Sequence, residues 1–145
     1  MKSHSRSARA LLAAIGSLAL AAAEESGATR HSAGDGVFSG AQVARGRQAY
    51  NTLCARCHGE TLGGGENSPA LASREFIAKW NGKTIGELVE YTRTKMPSDG
   101  PGRLSRKQCT DLTAFLLSEN EFPAGAADLA PDLAALNQIV ITRRK

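Results

Sequence analysis

The sequence predicts an all-α fold. Three segments open with a capping box, in which Ser or Thr is followed three positions later by Gln or Glu: Ser39 with Gln42, Thr84 with Glu87, and Ser105 with Gln108. Apolar residues at helical spacing follow the boxes. No segment of useful length alternates apolar and polar residues as a half-buried strand does. We therefore expect three main helices and a helical core.

The predicted helices follow these caps along the chain. The first box predicts a helix over 40–53, and the second a helix that ends before Met96, because the proline after it disfavours helical backbone. The third predicts a helix with Cys109 on its apolar face, where a buried free thiol is expected; a reactive or dimerising thiol is the alternative. Short helices are expected over 75–80 and 132–137.

The first 23 residues have the composition of a cleaved signal peptide. Lys2, Arg6 and Arg9 precede an apolar stretch over 11–23 that ends in three alanines. This stretch is shorter than the roughly 20 residues that a membrane-spanning helix needs. We therefore expect cleavage after Ala23 and a secreted, periplasmic protein with no membrane span after cleavage; a retained anchor is the alternative.

About 122 residues follow, enough for one domain. The polar, Gly-rich residues 24–37 predict a flexible lead-in to a domain over 38–119. Residues 120–145 are expected to be an extension that packs on the domain or trails from it. The net charge of +4 includes the basic residues of 1–23, so it does not indicate nucleic-acid binding. Aromatic residues make up only 5% of the chain, so a bound group is needed to enlarge the core.

The segment Cys54-Ala-Arg-Cys57-His58 has the spacing at which haem is attached covalently. Each thiol can add to one haem vinyl group, and the histidine can ligate the iron. The alternatives are a chance match, a thiol redox motif or half of a zinc site. A structural zinc site needs four ligands, and the remaining cysteine and histidines lack ligand-like spacing. We therefore expect one covalently attached haem c, with its iron bound to His58.

Met96 is the expected second axial ligand. It is the only methionine after residue 23, and the Pro- and Gly-rich stretch after it favours a rigid loop. A methionine thioether fills the sixth position of the iron and raises the reduction potential. The alternatives are that Met96 only fills the core or that His31 is the ligand. Pro69 ends a Gly-rich loop long enough to offer its carbonyl to the second ring N–H of His58.

Together, the haem motif, one downstream Met-Pro pair and the flanking helices resemble the class I cytochrome c family over 38–117. The resemblance implies that fold, with three main helices packed around a covalently attached haem. It also implies that Gly46 and Tyr50 mark where the first helix crosses the last, with Phe115 as the facing residue.

The same resemblance implies roles for residues around the haem. Pro69-Ala-Leu71 resembles the family's Pro-x-Leu, which implies that Pro69 accepts a hydrogen bond from His58 and that Leu71 packs on the haem. Trp80 resembles a tryptophan whose indole N–H is directed at a haem propionate; the alternative is that Trp80 is simply a core residue.

These features predict a periplasmic, monomeric one-electron carrier with no nucleic-acid partner, and not an enzyme. The segment 96–105 is similar to that of small cytochromes that accept electrons from periplasmic quinoprotein dehydrogenases. Such a dehydrogenase is the expected donor, and a terminal oxidase or another cytochrome in the respiratory chain is the expected acceptor. The alternatives are a peroxidase or gas sensor with a labile or open sixth position, and a bound cytochrome subunit of a dehydrogenase or oxidase complex.

Six basic residues would ring the haem edge and steer an acidic partner, unless they are ordinary solvated charges: Arg56, Lys79, Lys83, Arg93, Lys95 and Arg103.

Overall fold

The protein is described by a computed structural model that covers residues 30–143. The predicted signal peptide lies outside the described residues. In order, the elements are β1 (His31–Ser32), a 3-10 turn (Ala33–Asp35), α1 (Gly40–Leu53), α2 (Ala55–His58), α3 (Arg74–Trp80), α4 (Ile85–Lys95), α5 (Arg106–Glu119), α6 (Leu133–Leu136) and β2 (Ile139–Val140). The predicted all-α class is confirmed, because in the described part of the chain only two short strands accompany the helices. Within 30–143, no helix is both long and apolar enough to cross a membrane.

The helices begin at the predicted caps, with one difference. Thr84 and Ser105 form complete capping boxes. Ser39 accepts a hydrogen bond from the backbone N–H of Gln42 at 3.0 Å, but the Gln42 side chain does not return to the cap. Instead its buried amide bonds both backbone groups of Leu129, at 2.8 and 3.1 Å. The Leu129 backbone thereby gains the partners that buried polar groups require.

The core is built on the crossing of α1 and α5. Gly46 is buried where α1 meets the backbone carbonyl of Asp111 on α5. One turn further along α1, the ring of Tyr50 packs against Phe115 with centroids 5.3 Å apart and planes tilted by 52°. The crossing that the resemblance implied is therefore confirmed. It lets two backbones approach closely because Gly46 has no Cβ.

The segment before α1 is packed rather than free. β1 pairs in parallel with β2, and His31 and Ser32 lie opposite Ile139 and Val140. Ala33 is fully buried. The structure therefore differs from the predicted flexible lead-in over residues 30–37. The difference arises because the partner strand lies more than a hundred residues away, where no local pattern can indicate the pairing.

The C-terminal extension also packs on the domain over 120–143. Leu129, Leu136 and Ile141 are buried in the common core. The Asn120 side chain donates hydrogen bonds to the carbonyl of Leu71 at 2.7 Å and to that of Leu116 at 2.8 Å. The described part of the extension, up to residue 143, therefore contributes to the common core.

Candidate functional site

A cavity of about 500 Å³ lies among the helices, between α3 and α4 on one side and α1, α2 and α5 on the other. Its volume falls within the roughly 300–1,000 Å³ of small-molecule and cofactor sites. Apolar side chains form most of its wall: Leu53, Leu71, Phe76, Leu88, Leu112 and Leu116. Such a wall suits a large, flat, apolar ligand.

Every site residue predicted from the sequence lines this one cavity: Cys54, Cys57, His58, Pro69, Leu71, Trp80 and Met96. They come from α2 and the cap residue before it, from α3, from the loop before α3 and from the loop after α4. The fold thus brings together residues that are spread over more than forty positions of the sequence. His31 is exposed on β1 and does not line the cavity.

His58 is held in one tautomer. Its Nδ1 lies 2.8 Å from the carbonyl oxygen of Pro69. Because a carbonyl oxygen can only accept, Nδ1 carries the proton and Nε2 keeps a free lone pair. This is the tautomer in which a histidine binds iron through Nε2. The distance is that of a hydrogen bond between the His58 ring and the carbonyl of Pro69.

The loop that carries Pro69 is fixed against α2. The N–H of Gly64 donates to the carbonyl of His58 at 2.8 Å, and the hydroxyl of Tyr50 donates to that of Gly59 at 2.6 Å. Gly64 has a φ of +84°, and a Cβ there would lie 2.7 Å from the backbone nitrogen of Ala70. Only glycine allows this turn, which sets the distance between the loop and the His58 ring.

The two motif cysteines are unpaired thiols. Burial, and then the neighbouring Cys57, raise the pKa of Cys54 to about 11. Among residues 30–143, no group of three or more His, Cys, Asp or Glu side chains is placed to hold a metal ion.

The residues therefore fit a haem. The cavity offers two thiols beside an imidazole with a free lone pair, a thioether sulfur and apolar walls. Residues 41–116, just over half of the chain, match the family described as cytochrome c oxidase, cbb3-type, subunit III. The chain belongs to this cytochrome c family. Its cofactor is accordingly a covalently bound haem c with iron, and its general function is haem-based electron transfer.

One solved structure is similar to this cytochrome: the crystal structure of the sulfane dehydrogenase SoxCD from Paracoccus pantotrophus. The two are 27% identical, with a TM-score of 0.49, and the match covers 68% of this chain and 52% of that chain. The cytochrome thus spans about half the length of the chain that it matches. No curated protein matches the sequence.

An aromatic cluster covers one side of the cytochrome's cavity. Trp80 is buried, and its ring lies 6.4 Å from that of Phe76 and 5.5 Å, nearly edge-on, from that of Tyr91. The ammonium group of Lys79 lies 4.7 Å from the Tyr91 ring centroid. Trp80 is thus both a core residue and a cavity residue, and its indole's role toward a propionate stays a prediction.

The sequence analysis did not assign Tyr91 and Thr92 to the site. Both line the cavity, at the third and fourth positions after Leu88 on α4. The helical spacing from Leu88 was the available signal, since residues three and four apart share a helix face. Because Tyr91 and Thr92 are polar, they do not extend the apolar pattern of α4 in the sequence.

Three of the basic residues predicted to steer a partner are paired within the chain. Arg56 and Arg103 both bind the carboxylate of Asp99 at the cavity mouth. Arg93 binds Glu90. These pairs reduce the positive charge that the three arginines present to a partner.

Proposed function

We propose that this cytochrome is a periplasmic monohaem electron carrier whose iron is bound by His58 and Met96. It accepts electrons from a periplasmic dehydrogenase, with a quinoprotein dehydrogenase as the candidate donor, and passes them to the respiratory chain. The observation that carries the proposal is that Met96 lines the same cavity as the haem motif, while His58 is locked in the iron-binding tautomer by Pro69.

Each residue has a distinct task in this proposal. Cys54 and Cys57 hold the haem, and His58 donates its Nε2 lone pair. The Met96 thioether would supply the second iron ligand, and this would raise the reduction potential. The bound haem supplies the one-electron couple of its iron. The apolar wall excludes water, which limits the rearrangement that accompanies each change of charge.

Optical and electrochemical measurements on Met96 variants test the axial ligation. The ferric holoprotein should show a methionine-to-iron charge-transfer band at neutral pH. Met96→Leu should abolish the band and open the sixth position to added imidazole, whereas Met96→His should abolish it and lower the reduction potential.

Leu88→Met is the matched control, because it changes the same cavity wall with nearly conserved volume and should keep the band. A wild-type ferric protein without the band would contradict the His/Met assignment and favour the open-site alternative.

The periplasmic location rests on the secretory composition of residues 1–23. The purified protein should begin at Glu24 and have a mass that exceeds the peptide by one haem. A chain lacking residues 1–23 should remain in the cytoplasm without covalent haem. Recovery of the uncleaved chain with attached haem from the cytoplasm would contradict this part of the proposal.

A bound subunit of a larger complex is the second candidate, because the family's description names an oxidase subunit. The native mass separates the two. A free carrier should elute from a gentle extract as a small monomer and be reduced by a candidate dehydrogenase in stopped-flow mixing. Co-elution with a large redox complex, together with slow reduction of the isolated cytochrome, would favour the subunit.

A further inference from the structure

The loop that carries Met96 is closed at both its base and its tip by ion pairs. This loop spans residues 96–105, between α4 and α5. At its base, Glu90 on α4 binds Arg106 on α5, with 3.0 Å between carboxylate and guanidinium. The N–H of Gly102 donates to the carbonyl of Arg93 at 3.0 Å, and Leu104 is buried. These contacts fix the loop where it joins the helices.

The tip of the loop is bound to the haem-attachment segment. Asp99 accepts a hydrogen bond from Arg56, which lies between the two motif cysteines, with 2.7 Å between Oδ2 and Nη2. The other oxygen of Asp99 accepts from Arg103 at 3.3 Å. Arg56 and Asp99 both line the cavity mouth. The carboxylate thus bridges the wall that carries His58 and the loop that carries Met96.

We propose that Asp99 is a positioning residue: through its ion pair with Arg56 it holds the Met96 loop against the haem-attachment helix and so protects the sixth position from other ligands. This inference rests on the proposed ligation by Met96. Asp99 itself does not touch the iron. It acts by lowering the population of a locally opened state in which the loop leaves the cavity.

The exposure of the ion pair between Arg56 and Asp99 determines how strongly it restrains the Met96 loop and how strongly salt weakens that restraint. The side chains of Arg56 and Asp99 are 80% and 48% exposed, so salt screens their attraction. Because one exposed ion pair, between Asp99 and Arg56, joins the loop to the haem-attachment segment, loss of the Asp99 charge should favour the open loop about two- to fivefold.

The test is imidazole binding to the ferric holoprotein, followed by loss of the methionine-to-iron band. At about pH 8 imidazole is mostly neutral, so its own affinity depends little on salt. Asp99→Asn should bind imidazole about two- to fivefold more tightly at low salt, and Asp99→Glu should recover most of the protection. Glu119→Gln removes an ion pair with Arg47, on another face, and should bind imidazole like the wild type.

Two further measurements separate positioning from a general loss of structure. In a double-mutant cycle, adding Arg56→Gln to Asp99→Asn should change the affinity less than Arg56→Gln does alone. Imidazole affinity of the unmodified protein should rise with ionic strength toward that of Asp99→Asn, and this test needs no variant to fold.

Equal imidazole affinities for wild type and Asp99→Asn, or a wild-type affinity that is flat with salt, would overturn the positioning role while leaving the ligation by Met96 intact. Absence of the charge-transfer band in the wild type would overturn both proposals.

Discussion

The crossing of α1 and α5 predicts a severe effect of the smallest possible change, Gly46→Ala. A Cβ at position 46 would lie 2.0 Å from the carbonyl oxygen of Asp111 and 2.8 Å from the Cβ of Phe115. Real Cβ contacts are almost never shorter than 3.0 Å, so the helices would have to separate by about 1 Å. The obstacle is backbone, which has no rotamer through which it could move aside.

The cost follows from this geometry. Overpacking in a well-packed core lowers the free energy of unfolding by typically about 1–3 kcal/mol. Because the helices must part along their length, contact between Tyr50 and Phe115 is weakened as well. We therefore expect a loss of about 3 kcal/mol, which corresponds to a fall in Tm on the order of 10 °C for a domain of this size.

Urea unfolding of the holoprotein, followed by far-UV circular dichroism and by the haem absorbance, measures this loss. Gly40→Ala is the matched control on the same helix, since a Cβ there has nothing within 4 Å. It should leave stability unchanged or raise it by up to about 0.5 kcal/mol. Equal unfolding midpoints for the Gly46 and Gly40 variants would refute the argument that close backbone contact requires glycine here.

Two other predictions concern the paired side chain of Glu90 and the buried thiol of Cys109. Hydrogen bonds from Arg93, and then from Arg106, lower the pKa of Glu90 from 4.5 to about 2. Glu90→Gln should therefore lower the free energy of unfolding by about 1–2 kcal/mol at neutral pH. A carboxyl with a lowered pKa stabilises the fold only while it is ionised. The difference in free energy of unfolding between the wild type and Glu90→Gln should therefore shrink as the pH falls from 4.5 toward about 2. A difference that stays constant across this pH range in urea unfolding would contradict the assignment. Cys109 is fully buried, and burial raises its pKa to about 11, so a thiol reagent should not label the native holoprotein and should label one thiol per chain in denaturant. Labelling of the native protein would show that Cys109 is accessible.

The helices were predictable because their determinants are local. Ser39, Thr84 and Ser105 each cap a helix that starts at the next residue, as their sequence context indicates. The chemistry of the site was predictable for a similar reason, since the haem motif spans only residues 54–58. Pro69 was predictable as the acceptor for His58 from its place at the end of a glycine-rich loop and from the family's Pro-x-Leu pattern.

The remaining features depend on partners that are distant in sequence. The Gln42 side chain was expected to complete a cap, but Leu129 uses its amide instead, 87 positions further along the chain. The pairing of β1 with β2 likewise depends on two segments that are distant in sequence. Asp99 looks like an ordinary loop residue until the fold places it beside Arg56, 43 positions earlier. No local pattern carries information about such pairs.

These distant contacts also give the C-terminal extension a part in the haem site. Asn120 donates to the carbonyl of Leu71, two residues after the proline that accepts from His58. Arg143 in turn donates to the carbonyl of Asn120 at 2.8 Å. Arg143 thus restrains Asn120, which itself binds the loop that carries Pro69. Since the orientation of a histidine ring depends on its hydrogen-bond acceptor, the extension contributes to the orientation of His58, the proposed iron ligand, without lining the cavity.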